Sequence, residues 1–178
     1  MMADDHELAK RACAGDRQAF ELLVTRHYDF MYRIAYRWCG NRADAEDITH
    51  NAFLKMAEYL RGFRFESSFR TWLCRLVMNA ARDHGRQAHR RGTYTGAIPD
   101  DLMDSSDTES QTYAHEIFRL IQKLPPEQRS ALILVFGEGM THKEAAEIEE
   151  CPEGTMSWRI HEARHNLEYM MKTGKSHE

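Results

Sequence analysis

The spacing of apolar residues constrains this chain more than any other feature of its sequence. Between Phe20 and Trp38 they recur every three or four positions, the period of one face of an α-helix. Asp16 can cap the start of this helix and Gly40 can end it, so we predict a helix over 17–39. No stretch of the sequence shows the two-residue alternation of a half-buried strand, and the predicted fold class is therefore all-α.

The same period predicts neighbouring helices in the first half of the chain. A shorter helix over about 4–14 precedes the long one. Another opens at Asn41 and is broken at Gly62, and the next begins near Ser67 or Ser68. Together these segments predict a compact helical domain.

Beyond Gly92 the helical pattern disappears, and glycine, proline, serine and acidic residues take over. Such a composition cannot bury enough apolar area to order itself. We therefore predict two small helical domains, over 1–92 and 112–178, joined by a flexible acidic linker over 93–111.

The C-terminal half contains the outline of a helix-turn-helix. Thr141 and Glu144 have the spacing of a capping box, which opens a short helix. A tight turn over 150–154 separates this helix from a longer one that begins at Thr155. Short helix, tight turn and longer helix are typical of a DNA-binding helix-turn-helix, but a plain helical hairpin has the same pattern. Spacing alone leaves both interpretations open.

Charge is strongly segregated along the sequence. The whole chain has a formal net charge of −4, which argues against a general nucleic-acid coat. Within 61–91, however, eight arginines face only Glu66 and Asp83. A local basic block of this kind can bind phosphate while the molecule as a whole remains acidic.

Arginines and aromatic residues alternate in the loop over 61–70. Arginine neutralises phosphate, and an aromatic surface can receive a base that has left the stack. Phe63 and Phe65 lie outside the helical stripe, which favours a nucleic-acid contact for them. Trp72 and Leu73 lie on the stripe, and for them we expect a place in the core.

Several classes of protein are excluded or disfavoured. No apolar run is long enough for a transmembrane helix, and the acidic N-terminus lacks a signal-peptide core, so we expect a cytoplasmic protein. The four cysteines have no CxxC spacing and are interpreted as small core residues. His161 and His165 could share a metal, but a solvated or DNA-facing pair is the better interpretation. We expect no metal, no cofactor and no catalytic residues, since no nucleophile–base or phosphate-loop motif occurs.

Four segments, in order, resemble the extracytoplasmic-function (ECF) sigma factors of bacterial RNA polymerase. Residues 44–53 and 68–76, followed by Asn79, resemble sigma region 2; residues 124–129 and 144–155 resemble region 4. Departures from the family pattern occur at His50, Glu150, Met156, Ser157, Trp158 and Glu162. The resemblance implies a transcription initiation factor and not an enzyme.

The resemblance also assigns three sets of functional residues. Those implied to bind the coiled coil of the polymerase β′ subunit are Asp44, Asp47, Ile48, Asn51 and Phe53. Those implied at the melted −10 element are Phe63, Arg64, Phe65, Arg70, Arg75, Asn79, Arg82 and Arg86. Those implied in the −35 major groove are Thr155, Ser157, Trp158, Arg159, His161 and Arg164.

The implied partners are core RNA polymerase through its β′ and β subunits, promoter DNA and an anti-sigma factor. A monomer without membrane insertion is expected when the chain is alone. Two alternatives stay open: a sigma mimic that sequesters an anti-sigma factor, and an ordinary helix-turn-helix repressor. The mimic is suggested by residues 141–169, where seven glutamates outnumber three basic residues. Because DNA repels such a surface, we expect weak, salt-sensitive −35 binding by residues 112–178 alone.

Overall fold

The computed structural model describes residues 4–91 and 108–174. Within those ranges the chain forms α-helices and no strands, which confirms the all-α prediction. The elements are α1 (Asp5–Cys13), α2 (Arg17–Cys39), α3 (Arg42–Tyr59), a 3₁₀ turn (Leu60–Gly62), α4 (Phe69–Arg91), α5 (Thr108–Gln122), α6 (Pro126–Leu132), a π-helical turn (Ile133–Gly137), α7 (His142–Ile148) and α8 (Glu153–Gly174). Most of the predicted linker lies outside the described residues, and α5 begins inside its predicted range, at Thr108.

Local capping fixes the helix ends of the N-terminal half. The Asp16 side chain accepts a hydrogen bond from the backbone N–H of Ala19 at 3.1 Å, which starts α2. Gly40 ends α2 with a φ of 79°, in the left-handed region that favours glycine. Asn41 then caps α3 by accepting from the N–H of Asp44 at 2.8 Å. The predicted bounds of the helix over 17–39 are confirmed.

Helices α1 to α4 pack into one bundle around large apolar side chains. The fully buried ones in this bundle are Leu8, Leu23, Met31, Ile34, Trp38, Ile48, Met56, Leu73 and Met78. They come from the stripes that recur at threes and fours in the sequence, and removing that area from water stabilises the bundle.

The C-terminal helices form a second bundle. The capping box of Thr141 and Glu144 is present: the Thr141 hydroxyl accepts from the backbone N–H of Glu144 at 3.2 Å, and the Glu144 carboxylate accepts from the backbone N–H of Thr141 at 2.8 Å. Glu150 in the following turn has a φ of 50°. Helices α7 and α8 flank that turn, and Leu134, Ile148 and Met156 fill the core beneath them.

The end of α2 is one of the places where the two bundles touch. Arg129 of α6 is buried and donates to the carbonyls of Trp38 at 2.9 Å and of Gln122 at 2.5 Å. Its guanidinium also lies 5.1 Å from the Trp38 ring, and the indole Nε1 donates to Ser130 Oγ at 3.3 Å. Buried contacts therefore run from one bundle into the other.

Candidate nucleic-acid interface

The acidic segment of α3 presents a narrow polar face. Asp47 and Asn51 are exposed one helical turn apart, as expected for a partner-binding face. Ile48 is fully buried in the core, so the expectation that it contacts a partner is revised. It packs beneath the face because it occupies the apolar stripe of the same helix.

The Asp44 carboxylate already contacts two neighbouring side chains near the start of α3. Its carboxylate accepts from Asn41 Nδ2 at 2.6 Å, and its Oδ1 lies 3.4 Å from His84 Nε2. This geometry supports the capping role of an acid at a helix N-terminus, while 42% of the side chain stays exposed for a second role.

Two apolar residues beside this face were missed by sequence reasoning. Leu54 is exposed one turn beyond Asn51, and Tyr28 of α2 is exposed while its ring stacks on Phe53 with centroids 6.1 Å apart. The spacing of Asp47, Asn51 and Leu54 along one helical face was a signal that could have identified Leu54. The pairing of Tyr28 with Phe53 joins two helices and had no local signal.

The loop between α3 and α4 forms an aromatic cluster. Phe63 lies 4.6 Å from Phe65 and 4.9 Å from Trp72, measured between ring centroids. Phe65 adopts a φ of 60° and also contacts the ring of His6 at 4.8 Å. A bulky residue in the left-handed region is strained, which marks this loop as one held by its surroundings.

The basic residues near the loop divide into two groups. Arg64 and Arg86 are exposed, and Arg86 pairs with Asp83, which also binds Lys55 at 2.8 Å. Lysine and arginine next to Asp83 hold the pKa of its carboxyl below the usual range.

The other three arginines of α4 that we expected at the −10 element already have partners. Arg70 lies 4.0 Å above the Phe30 ring, and Arg75 donates to the Glu147 carbonyl at 3.2 Å. Arg82 donates to Asn79 Oδ1 at 2.5 Å, so the two side chains are brought together.

The start of α8 exposes some of the expected −35 residues and engages others. Trp158 is 59% exposed, and His161 and Arg164 are also at the surface. The Ser157 hydroxyl is 2.9 Å from His142 Nδ1, and Thr155 is half-buried. Arg159, which we expected to be a leading base contact, is instead only 18% exposed and lies 3.7 Å from Glu149 Oε2.

Two glutamates of the C-terminal bundle were not singled out from the sequence. The side chains of Glu138 and Glu149 are each 1% exposed, and both face arginines. Burial raises the pKa of Glu149, and the nearby Arg82 and Arg159 oppose that shift. A charge run shows the sign of a surface but not which acid is turned inward.

Two of the cysteines, Cys39 and Cys74, are unreactive thiols. Burial raises the pKa of Cys39 to about 11 and that of Cys74 to about 12, so both thiols stay protonated at neutral pH. Among the described residues, no three His, Cys, Asp or Glu side chains are grouped so that they could hold a metal ion. Over the same ranges, no helix has the length and apolar character needed to cross a membrane.

Family comparisons cover both bundles. Residues 23–91 match the model of Sigma-70 region 2, and residues 114–167 match that of Sigma-70, region 4. The chain is 32% identical over 177 residues to the ECF RNA polymerase sigma-E factor of Escherichia coli strain K12, with 92% of each protein covered. It is 31% identical, with the same coverage of both proteins, to the RNA polymerase sigma-H factor of Pseudomonas aeruginosa.

Two solved structures share the fold. One is the sigma factor RpoE of Bartonella quintana in complex with the anti-sigma factor NepR, at a TM-score of 0.72 and 21% identity, covering 86% of this chain and 96% of that one. The other is CnrH in complex with the cytosolic domain of CnrY, at a TM-score of 0.70 and 24% identity, covering 95% of this chain and 97% of that one.

Proposed function

The chain belongs to the ECF family of sigma factors, and from this premise we propose that it binds core RNA polymerase and directs promoter recognition, strand opening and initiation. The polymerase supplies the chemistry, and this protein contributes binding energy and DNA distortion. One observation carries the proposal: a single bundle combines the exposed acidic face of α3 with a loop of alternating aromatic residues and arginines. A repressor would need no such acidic face.

We assign polymerase docking to the α3 face. Asp47 and Asn51 are its polar contacts, with Asp44 at the rim, and Phe53 with Tyr28 and Leu54 forms its apolar side. Ile48 supports this surface from the core. An apolar centre edged by polar residues is the usual composition of a specific protein interface.

We assign strand opening to the aromatic loop and α4. Phe63 and Phe65 would receive a flipped base, which offsets the few kcal/mol lost on unstacking it. Asn79 would read a base edge, because its amide both donates and accepts. Arg64, Arg70, Arg75, Arg82 and Arg86 would neutralise phosphates of the opened strand.

We assign −35 recognition to the start of α8. Trp158 and His161 are the exposed candidates for base contacts, and Arg164 for a phosphate. Thr155 and Ser157 border that surface. Arg159 could contribute only after leaving Glu149.

We assign these functions to the predicted domains. Residues 1–92 would bind the polymerase and the −10 element, residues 112–178 would bind the −35 element, and residues 93–111 would connect the two domains. We further propose a cytoplasmic location and an anti-sigma factor as inhibitor. One of the structural neighbours was solved in complex with an anti-sigma factor, which supports such a partner for this chain. A sigma mimic remains the second candidate, favoured by the acidic C-terminal bundle.

Run-off transcription tests the proposal directly. The purified chain is added to core polymerase that lacks any other sigma factor, on duplex and on pre-melted templates. We expect wild type to initiate on both, and Asn79→Ala and Phe65→Ala to lose roughly tenfold on the duplex while recovering on the pre-melted template.

Tyr169→Ala is the control, because Tyr169 is 64% exposed near the end of α8 and outside the proposed sites. A chain that neither binds core polymerase nor yields transcripts would refute the function and favour the mimic. Variants that initiate equally well on both templates would refute the assignment of the −10 residues.

A further inference from the structure

A buried carboxylate of the C-terminal bundle is held by arginines of the N-terminal bundle. Glu138 Oε1 accepts from Arg37 at 2.6 Å and lies 3.9 Å from Arg33, and its Oε2 accepts from Arg70 at 3.2 Å. Glu138 directly follows the π-helical turn, whose backbone bonds reach one residue further than in an α-helix, and its N–H donates to Ile133 O at 3.0 Å. Gly137 also lies so close that an added Cβ would be 3.0 Å from Arg37 Nη1.

A second buried carboxylate repeats the arrangement further along α4. Glu149 Oε2 accepts from Arg82 at 3.2 Å and lies 3.7 Å from Arg159 of its own bundle. Between these two carboxylates, Arg75 donates to the carbonyl oxygen of Glu147. Acceptor oxygens from the other bundle therefore bind α4 at three positions between Arg70 and Arg82.

Four of the six arginines in these contacts are assigned to DNA, whereas Arg33 and Arg37 of α2 are not. Arg70, Arg75 and Arg82 are proposed to bind phosphates of the opened strand, and Arg159 belongs to the −35 set. Carboxylate and phosphate oxygens compete for the same guanidinium donors with similar geometry. An arginine held by Glu138 or Glu149 has fewer of its five N–H donors free for a phosphate, and the carboxylate beside it repels that phosphate.

We propose that this closed arrangement is an autoinhibited state, in which Glu138 and Glu149 occupy the arginines of α4 and must leave before promoter DNA can bind. The inference rests on the proposed function, since it requires α4 to be a DNA-binding helix. It also accounts for an acidic helix-turn-helix domain in a DNA-binding protein: part of that acidity is directed at the protein's own basic helix.

The closed state carries an energetic cost that favours opening. Glu149 Oε1 is buried and has no hydrogen-bond partner among the described residues, so closure leaves one oxygen of a desolvated carboxylate unsatisfied. Removing such a group from water offsets much of the attraction between the charges. Competition from DNA phosphates or from polymerase can therefore shift the balance toward the open state.

Two variants that change the net charge in opposite directions test the proposal. Glu138→Gln with Glu149→Gln removes two negative charges, and Arg37→Gln removes one positive charge, yet both break contacts between the bundles. The control is Glu116→Gln with Glu168→Gln, which makes the first charge change at two exposed positions of the same bundle. Circular dichroism verifies that each full-length protein is folded.

The readouts are the radius of gyration from small-angle X-ray scattering and binding of a fluorescein-labelled, mixed-sequence single-stranded DNA. We expect both opened variants to expand and to bind the DNA more tightly, by about tenfold for the double glutamine variant. The control is expected to stay compact and gain less than about twofold in affinity, the effect of charge alone. Arg37→Gln is the decisive variant. The loss of a positive charge would by itself weaken DNA binding, so tighter binding by this variant must come from opening.

The proposal is overturned if both variants have the same radius of gyration and DNA affinity as wild type. It is also overturned if they expand without binding DNA more tightly. If the double variant does not fold, Arg37→Gln alone decides, since the Arg37 side chain is 35% exposed. Run-off transcription by wild type is scored separately. Its failure would refute the sigma-factor function, whereas failure of the scattering and binding tests would refute only the autoinhibition.

Discussion

Gly85 of α4 lies directly against the indole of Trp38 in α2, so that a Cβ added to Gly85 would come within 2.6 Å of the ring atom Cη2. Glycine inside a helix costs about 1 kcal/mol relative to alanine. The close approach explains why the position requires it. Trp38 cannot easily give way, because its carbonyl and its indole N–H are both bonded to α6.

We therefore expect Gly85→Ala to destabilise the protein by about 1–3 kcal/mol, although alanine is the better helix former. The free energy of unfolding is measured by chemical denaturation. Gly154→Ala is the matched control, because a Cβ at Gly154 meets nothing within 4 Å. Equal stability of the two variants would contradict the packing argument.

Glu150→Gly should stabilise the turn between α7 and α8. Glu150 has a φ of 50°, where a side chain costs roughly 1 kcal/mol and glycine costs little. Glu150→Ala removes the same charge but keeps the Cβ, so we expect glycine to exceed alanine by about 1 kcal/mol in thermal unfolding. If alanine stabilises as much as glycine, charge and not backbone strain is responsible.

Trp158 should read thymine methyl groups in the −35 element. It is the large exposed apolar side chain at the start of α8, and apolar contact with the thymine C5-methyl is a known form of base readout. Replacing −35 thymines with deoxyuridine should lower wild-type run-off about fivefold, or ~1 kcal/mol.

The same base replacement should leave Trp158→Ala unaffected, because the partner of the methyl group is already gone. His161→Ala serves as the control that keeps the methyl sensitivity. An equal response of Trp158→Ala and wild type to deoxyuridine would show that the methyl group is read elsewhere.

His27 should make the stability depend on pH. Its ring is buried 5.4 Å from Phe69, and burial lowers its pKa below 6.5 although Asp5 lies 3.0 Å from Nε2. The folded protein then takes up the proton less readily than the unfolded chain. Stability from this residue is complete above pH 6.5 and is lost as the pH falls through the lowered pKa.

Denaturation at a series of pH values below neutral measures that dependence. We expect His27→Gln to flatten the slope in the acidic range, whatever its effect on absolute stability. His161→Gln changes an exposed histidine and should leave the slope intact. A wild-type slope in the His27 variant would assign the dependence to another group.

The helices could be predicted because their signals are local. Asp16, Gly40 and Asn41 determine helix ends through contacts with residues at most four positions away. The capping box of Thr141 and Glu144 is equally local. Periodicity then indicated which face of each helix enters the core.

The site could be predicted only in part because its contacts are distant in sequence. Arg37 and Glu138 are 101 positions apart, and no spacing rule connects them. The π-helical turn that precedes Glu138 was not indicated by the helical period of the sequence. Composition revealed an acidic domain and a basic helix, but only the folded structure shows that the two are in direct contact.

The buried carboxylates also limit how this protein can be re-engineered. In a chimera that grafted α5 to α8 onto a different N-terminal half, the guanidiniums of α2 and α4 would be missing, so closing the two bundles would bury Glu138 and Glu149 with fewer partners and at a cost in free energy. An exchange of the C-terminal bundle between proteins would therefore have to transfer these acids and bases together, or replace them together by neutral side chains.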